Sequence, residues 1–373
     1  MLAAAAGLAI LALLAGWVRP FEVPGLLDLH VLSLFFVLIV AVACAQKSGL
    51  FAFAVRAVLS RVRSARALAV AAVLVTGVTA ALVTNDVALL LVVPFTLAFE
   101  ATAPGFETAG LVVLEIAAAN VLGCLTPTGN PQNLFLFVRG GFTAGSFFGV
   151  QVPWVLGMAA ATLLLVPFVV KERPLPAPAA RAIRVLPLEA AAALALLVLE
   201  LLAIFRVVPQ AVPAVSALLA LALLGRDAWR VDFSLVGVFA ALFVGVEGLR
   251  RSALFHVLDP TRLFGASPAG FVVSGALLSQ VVSNVPAALL LAPAAAAAAA
   301  PAGAFTALLY GVNAGGCGTP IASLANLIGA RLYLAGRSSR RSFWTLFAGV
   351  SVALLLYALA LSLALVKYSV SSR

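Results

Sequence analysis

Apolar runs broken by short polar interruptions cover the chain, and their lengths predict helices rather than strands. A membrane-crossing helix needs about 20 apolar residues. Residues 2–18 and 28–45 read as the first two spans. Over 46–66, Lys47, Arg56, Arg61, Arg63 and Arg66 punctuate an apolar stretch, the pattern of an amphipathic interfacial helix. The apolar run 67–83 stops at Thr84-Asn85-Asp86, and 87–99 follows with Pro94 inside it. Two short arms with polar residues between them predict a re-entrant hairpin over 67–100, because irregular backbone is tolerated at depth only where protein or a cavity surrounds it. A helix from 107 meets Thr126-Pro127-Thr128-Gly129-Asn130-Pro131, and apolar residues resume at Leu134. Proline inside a helix removes a hydrogen bond and clashes with the preceding turn, so 107–140 reads as one crossing with an unwound centre.

Spans follow at 145–170, 187–204, 209–224 and 232–247, with a basic, proline-containing loop at 171–186 and a mixed segment at 248–265. Then 267–282 and 287–300 flank Ser283-Asn284-Val285-Pro286, predicting a second hairpin over 267–300. A second broken helix covers 303–335, interrupted at Gly318-Thr319-Pro320, and the last span is 343–367.

The order repeats. Thr84 to Pro94 aligns without gaps to Ser283 to Pro293. More tellingly, NVLGCLTPTGNPQNL at 120–134 matches NAGGCGTPIASLANL at 313–327, with Asn120, Gly123, Cys124, Thr126, Pro127, Asn133 and Leu134 answered by Asn313, Gly316, Cys317, Thr319, Pro320, Asn326 and Leu327. Each unit has an even number of full crossings and one hairpin, and the helix at 187–204 has no counterpart. An even unit plus one linker helix inverts the second copy. The expected fold is an all-α polytopic membrane protein of about nine full spans plus two hairpins. Residues 1–170 form the first inverted repeat, 171–208 the basic loop and linker helix, and 209–373 the second.

Composition agrees with a bilayer setting. Of 373 residues, 64% are hydrophobic and 10% charged, against roughly a quarter charged in soluble domains. That excludes an ordinary soluble enzyme, a disordered chain and a nucleic-acid binder. The net charge of +10 is explained by basic inner loops. With the N-terminus inside, the inner segments hold Lys47, Arg56, Arg61, Arg63, Arg66, Lys171, Arg173, Arg181, Arg184, Arg226, Arg230, Arg331, Arg337, Arg340 and Arg341. The outer ones hold Arg19, Arg139, Arg206, Arg250, Arg251, Arg262, Lys367 and Arg373. The positive-inside rule therefore orients the N-terminus inside and the C-terminus outside. Residues 2–18 lack a basic n-region and a cleavage signature and read as a retained span.

Cys44, Cys124 and Cys317 show no metal-ligand spacing, and His30 and His256 read as peripheral. There is no phosphate-binding GxxxxGK[ST] loop and no GxSxG elbow. Enzyme chemistry and ATP-driven pumping thus have no support, and no cofactor is expected beyond H⁺ or Na⁺ as coupling ion. The polar residues gathered at the tips and unwound centres suit binding and release of a small solute. Candidate substrate or ion ligands are Thr84, Asn85, Asp86, Thr126, Thr128, Gly129, Asn130, Asn133, Ser283, Asn284, Gly318, Thr319, Ser323 and Asn326. Asn85, Asp86, Asn130 and Asn284 are candidates for Na⁺. Asp86 is the sharpest of them: a carboxylate at an apolar tip is costly, so it reads as the coupling site, or else as a helix cap. Glu115 is a second coupling candidate, or a paired structural acid. Glu200 reads as interfacial, Asn120 and Asn313 as bracing residues, and Cys124 and Cys317 as small packing residues. No Arg or Lys falls among the candidates, so an anionic solute would be balanced by helix dipoles and bound cations.

In TNDVALLLVVP at 84–94, TPTGNPQNL at 126–134, SNVPAALLLAP at 283–293 and TPIASLANLIG at 319–329, the chain resembles the ion transporter superfamily. The nearer likeness is to its arsenite-pump and sodium/proton-antiporter branch, often labelled anion permease or citrate-transporter-like. The resemblance implies a scaffold, a mobile region holding hairpins and broken helices, an elevator-type cycle and a homodimer. It departs from dicarboxylate members, whose tips resemble Ser-Asn-Thr where this chain has Thr-Asn-Asp and Ser-Asn-Val. The expectation is a secondary transporter in a bacterial inner membrane. Its cargo is a small inorganic or carboxylate anion or an oxyanion-like solute such as arsenite or antimonite. A sodium/proton antiporter and an ion channel are the alternatives.

Overall fold

The computed structural model describes residues 2–103, 105–176, 183–253, 255, 260–335, 337 and 340–371. Arg181, His256, Asp259 and Arg373 lie outside the described residues. The described chain is helical throughout, with one isolated bridge between Ser64 and Pro174 and no strand.

The first half contains α1 (Leu2–Leu14), α2 (Leu29–Ser48), α3 (Leu50–Leu59), α4 (Ala65–Leu82), α5 (Asn85–Thr102), α6 (Ala109–Leu122), α7 (Pro131–Arg139) and α8 (Ala144–Leu164). Then come α9 (Pro187–Ile204), α10 (Ala211–Leu224), α11 (Ser234–Arg251), α12 (Pro268–Val282), α13 (Asn284–Ala296), α14 (Pro301–Gly316), α15 (Leu324–Leu334) and α16 (Arg341–Ser371). Among the described residues, six helical segments are long and apolar enough to cross a membrane: Leu29–Ser48, Ala65–Leu82, Ala144–Val169, Pro187–Ile204, Ala211–Arg230 and Arg341–Tyr368. The pieces flanking the polar interruptions are shorter.

Local chemistry sets the boundaries. The Asp28 carboxylate accepts from Val31 N and starts α2. Gly49 ends it with φ +70°, a conformation that favours glycine. A β-carbon there would also lie 2.6 Å from Arg184 O. Ser64, Thr84 and Ser267 cap α4, α5 and α12, and Thr143 with Ser146 forms a capping box on α8. Pro131 opens α7, where a missing N–H costs nothing.

The centre is α6, whose residues 109–121 are all buried. Around it pack α4, α5, α8, α15 and α16. The pair α4/α5 is joined by Val83-Thr84, and the pair α12/α13 by Ser283 alone. α12 and α14 approach closely because Gly275 faces the backbone of Gly311 and Val312, and Gly311 that of Phe271 and Val272, the small-residue packing that serves where lipid removes the hydrophobic drive between helices. A second group, α1, α2, α9, α10 and α11, packs α9 and α10 on α2 and α1 on α11. Leu194, Val198, Leu218 and Leu219 on α9 and α10 are exposed, as expected of helices facing lipid.

Glu200 corrects one expectation. It is fully buried, and neither carboxylate oxygen has a hydrogen-bond partner. Because α9 packs closely on α2 and also on α10, residues of its last turns face protein rather than the interface.

Candidate functional site

A cleft of about 900 Å³ lies between the two groups of helices. One wall is α2 (Leu38, Ile39, Val42, Ala43) and α11 (Leu235, Val238, Phe239). The facing wall is Thr84-Asn85-Asp86-Val87, Pro131-Gln132, Ser283-Asn284-Val285 and Ser323-Leu324. One end carries Leu2, Gln46, Lys47, Asp227, Arg230 and Asp232. The Arg230 side chain there is 85% exposed, which marks that end as the mouth. Lys47 is committed to Glu189 and Asp227, each at 3.6 Å, and to the carbonyls of Leu223 and Leu224.

Every segment of the polar wall is the first turn of a helix. Thr84 to Val87 start α5, Pro131 and Gln132 start α7, Ser283 to Val285 start α13, and Ser323 and Leu324 start α15. The last residues of the preceding helices, Leu82, Leu122, Val282 and Gly316, do not line the cleft. It therefore faces four helix N-termini, each the positive end of a dipole; at α5 the first N–H groups are already taken, by Gly129 O, Asn85 Oδ1 and the Thr84 hydroxyl. Asp86 is the only ionisable residue on that wall. It does not cap α5, because the Thr84 hydroxyl accepts from Val87 N. Asp86 Oδ1 has no partner.

The sequence candidates divide on geometry. Thr84, Asn85, Asp86, Ser283, Asn284 and Ser323 line the cleft. Thr126, Thr128, Gly129, Asn130, Asn133, Gly318, Thr319 and Asn326 do not line it. The Thr126 hydroxyl donates to Ala81 O and lies 3.2 Å from the Thr128 hydroxyl, and Gly129 O accepts from Asn85 N. A β-carbon on Gly129 would lie 2.0 Å from Gly123 O, so only glycine permits this approach. Gly318 and Thr319 are clasped by Gln280, whose Oε1 accepts from Thr319 N and whose carbonyl accepts from the Thr319 hydroxyl. Of the four Na⁺ candidates, Asn85, Asp86 and Asn284 meet in the cleft and Asn130 does not.

A buried amide network joins the two halves behind the wall. Asn120 Oδ1 accepts from the Ser323 hydroxyl at 2.7 Å and from Asn85 Nδ2 at 3.4 Å. Its Nδ2 donates to Asn326 Oδ1 at 2.7 Å and to Ile116 O. Asn326 Nδ2 in turn donates to Gly316 O and Thr319 O. Gln132 Nε2 donates to Asn313 Oδ1 at 3.1 Å. Gln132 reaches the cleft and was not singled out from the sequence; its signal was an amide in an apolar segment between two motif residues. Glu115 does not reach the cleft. It is buried between α5 and α6 and accepts from the Thr96 hydroxyl, with its second oxygen unpartnered.

Ser283 carries strain. Its φ of +76° and ψ of 157° lie in a region that is nearly glycine-only, whereas Thr84, at the break between α4 and α5, is extended. Backbone held in such a conformation beside a cavity is a recurrent mark of functional sites. Among the described residues, no group of three His, Cys, Asp or Glu side chains is placed to hold a metal ion.

Towards the end away from the mouth, Arg139, at the end of α7, pairs with Asp28 at 2.9 Å, and Asp28 caps the end of α2 remote from Lys47. Inward of it, the ring centroids of Phe35 and Phe239 are 4.2 Å apart, those of Phe239 and Phe243 6.2 Å, and those of Phe243 and Phe135 6.2 Å. This aromatic ladder ties α2 and α11 to α7.

The chain has relatives of matching length. The inner membrane protein YbiR of Escherichia coli is 30% identical over 91% of this chain and 88% of its own. An uncharacterized transporter of Methanocaldococcus jannaschii is 27% identical over 87% of this chain and 86% of its own. An uncharacterized transporter of Mycobacterium tuberculosis is 27% identical over 85% and 81%. The model of the citrate transporter family matches residues 1–310. The chain therefore belongs to the citrate transporter family and is, by that membership, a membrane transporter.

Proposed function

We propose that this chain is a secondary active transporter of a small anion, a carboxylate or inorganic oxyanion, coupled to H⁺ or Na⁺ at Asp86. The observation that carries the reading is the polar wall of the cleft: four helix N-termini, no basic side chain and one carboxylate. Helix N-termini attract anions without the tight hold of an Arg or Lys pair, which suits a site that must also release its cargo.

On this reading α4/α5 and α12/α13 are the re-entrant hairpins of two inverted repeats. With α6–α7 and α14–α15 as broken helices they form the moving part, and α1, α2 and α9–α11 form the scaffold. The cleft lies between the two parts, the location expected for alternating access. With basic residues favouring the cytoplasm, its mouth beside Lys47 and Arg230 opens inward. The Arg139–Asp28 pair and the phenylalanine ladder then form the closed outer gate. The neutral acid arsenite gains less from four dipoles than a carboxylate does, so the family's namesake, citrate, is the first solute to test. The bacterial inner membrane and a homodimer are part of the same proposal.

The test is accumulation of citrate and arsenite in everted membrane vesicles, with and without a proton gradient and Na⁺. Gradient-dependent accumulation of either solute, abolished in a folded Asp86→Asn variant, is the expected result. No accumulation from folded protein, with Na⁺-driven proton movement in its place, would make it an antiporter. Conductance beyond carrier turnover would make it a channel.

A further inference from the structure

A second cavity, of about 250 Å³, lies between α1 and α11 on one side and α13, α15 and the end of α12 on the other. Val238, Ser283 and Leu324 line both this crevice and the cleft. Among the described residues, Ser283 is the one polar side chain lining the crevice. Its hydroxyl is already turned to Ala322 O and Asn284 Oδ1. A buried water needs several polar partners, so the crevice excludes water. Leu242, Val246 and Leu290 in its lining are buried, whereas Val281 and Ile321 are 73% and 56% exposed, which marks the opening.

The sequence repeat supplies an internal comparison. In α5 the Thr84 hydroxyl accepts from Val87 N. The aligned residue of α13 is Pro286, which has no N–H and lines the crevice. Thr128, which is buried, is answered by the exposed Ile321. The second half is thus apolar at two places where the first offers a backbone donor and a hydroxyl. An apolar void forfeits dispersion contacts along its open side. On a membrane protein the material that meets a rim of Val and Ile is the lipid tail, as apolar as Leu.

We infer that this crevice holds one acyl chain of a membrane phospholipid, inserted between α11 and α13 as far as Ser283. The exposed Leu277 of α12 and Leu327 of α15 continue the apolar rim onto the outer surface, so the site is an inward extension of the lipid-facing surface. The chain completes the wall between the cleft and the bilayer at Ser283. The inference needs only the bilayer setting and is independent of cargo and coupling.

The test is photolabelling of the protein in vesicles of phosphatidylethanolamine and phosphatidylglycerol doped with a phosphatidylcholine that carries a diazirine on one acyl chain. Peptide mass spectrometry locates the adducts. Val246 and Leu290 should be labelled although buried, along with the exposed Leu218 and Leu219 of α10. Leu134 and Leu308, buried away from both cavities, should carry no label. Leu242→Trp fills the crevice and should lose the adducts on Val246 and Leu290 while keeping those on α10. Should that variant not fold, Leu290→Phe replaces it, read at Leu242 and Val246. Wild-type labelling of Val246 and Leu290 no stronger than that of Leu134 would overturn the inference, as would crevice adducts that persist in the filled variant. Labelling by a diazirine fatty acid where the phospholipid gives none would overturn the phospholipid assignment. Cross-links between chains through Val281→Cys, without lipid adducts in the crevice, would give this face to a second copy and overturn it too.

Discussion

Ser283 offers a test in which the sign of a stability difference decides. A β-carbon at its φ of +76° and ψ of 157° costs about 1–3 kcal/mol. Ser283→Ala keeps that strain and loses the hydroxyl, whose single proton has two long acceptors, Ala322 O at 3.3 Å and Asn284 Oδ1 at 3.4 Å. Ser283→Gly loses the same bonds, relieves the strain, and adds about 0.4–1 kcal/mol of unfolded-state entropy. At an ordinary position glycine is the less stable of the two. Here the difference inverts, and Ser283→Gly should exceed Ser283→Ala by about 0.5–2 kcal/mol. Equilibrium unfolding in mixed micelles measures the pair. Both variants lose the hydroxyl from the cleft, so both should weaken anion binding by similar factors while their stabilities diverge. A glycine variant less stable than the alanine variant would refute the strain argument, and normal binding in both would remove Ser283 from the site.

Two further outcomes follow from the polar contacts. Asn120→Ala leaves Ser323, Asn85 and the oxygen of Asn326 without the partners they now have; at about 1–3 kcal/mol for each orphaned group, partly relaxed, the expected loss is about 3–5 kcal/mol in the same unfolding assay, and a loss under about 1 kcal/mol would deny Asn120 its role as hub. Asp28→Ala removes both the ion pair with Arg139 and the cap of α2, so it should cost about 1 kcal/mol more than Arg139→Ala, with a pair coupling of about 0.2–1 kcal/mol in a double-mutant cycle; equal single costs would contradict that division.

Much of the helix order is legible because membrane spans and their breaks announce themselves. The helix expected over 187–204 is found at Pro187–Ile204, and helix breaks fall at Thr84 and Ser283, where polar residues interrupt apolar runs. What the pattern does not carry is which face a residue uses. Lipid-facing and protein-facing positions are both apolar, so nothing distinguishes the cleft wall of α2 and α11 from a lipid surface, and Glu200 could not be placed inside. For the same reason the polar candidates could not be divided. Thr126 braces the backbone of Ala81 and Thr128 meets the Thr126 hydroxyl, while Thr84 and Ser283 face the cleft, although all four are hydroxyl residues beside a break. Gln132 escaped notice because a single amide in an apolar helix has no repeat to mark it.

The charge of the polar wall gives the proposed coupling a sign. Each helix N-terminus acts as roughly half a positive charge, so four contribute at most about +2, reduced by the carbonyl ends of α4, α6, α12 and α14 set behind them. An ionised Asp86 subtracts one. A proton or Na⁺ on Asp86 therefore raises the wall's attraction for an anion, and a bound anion raises the affinity of Asp86 for its cation by the same factor, since such couplings are reciprocal. Cation and anion then favour the same loaded state and cross together, whereas competition for one site would have driven exchange. Asparagine at position 86 holds the wall in the neutral condition. The Asp86→Asn protein should therefore bind the anion with an affinity that no longer depends on pH or Na⁺, and fail only in gradient-driven accumulation. Anion affinity in that variant that still rose with the coupling cation would place the coupling elsewhere in the cleft.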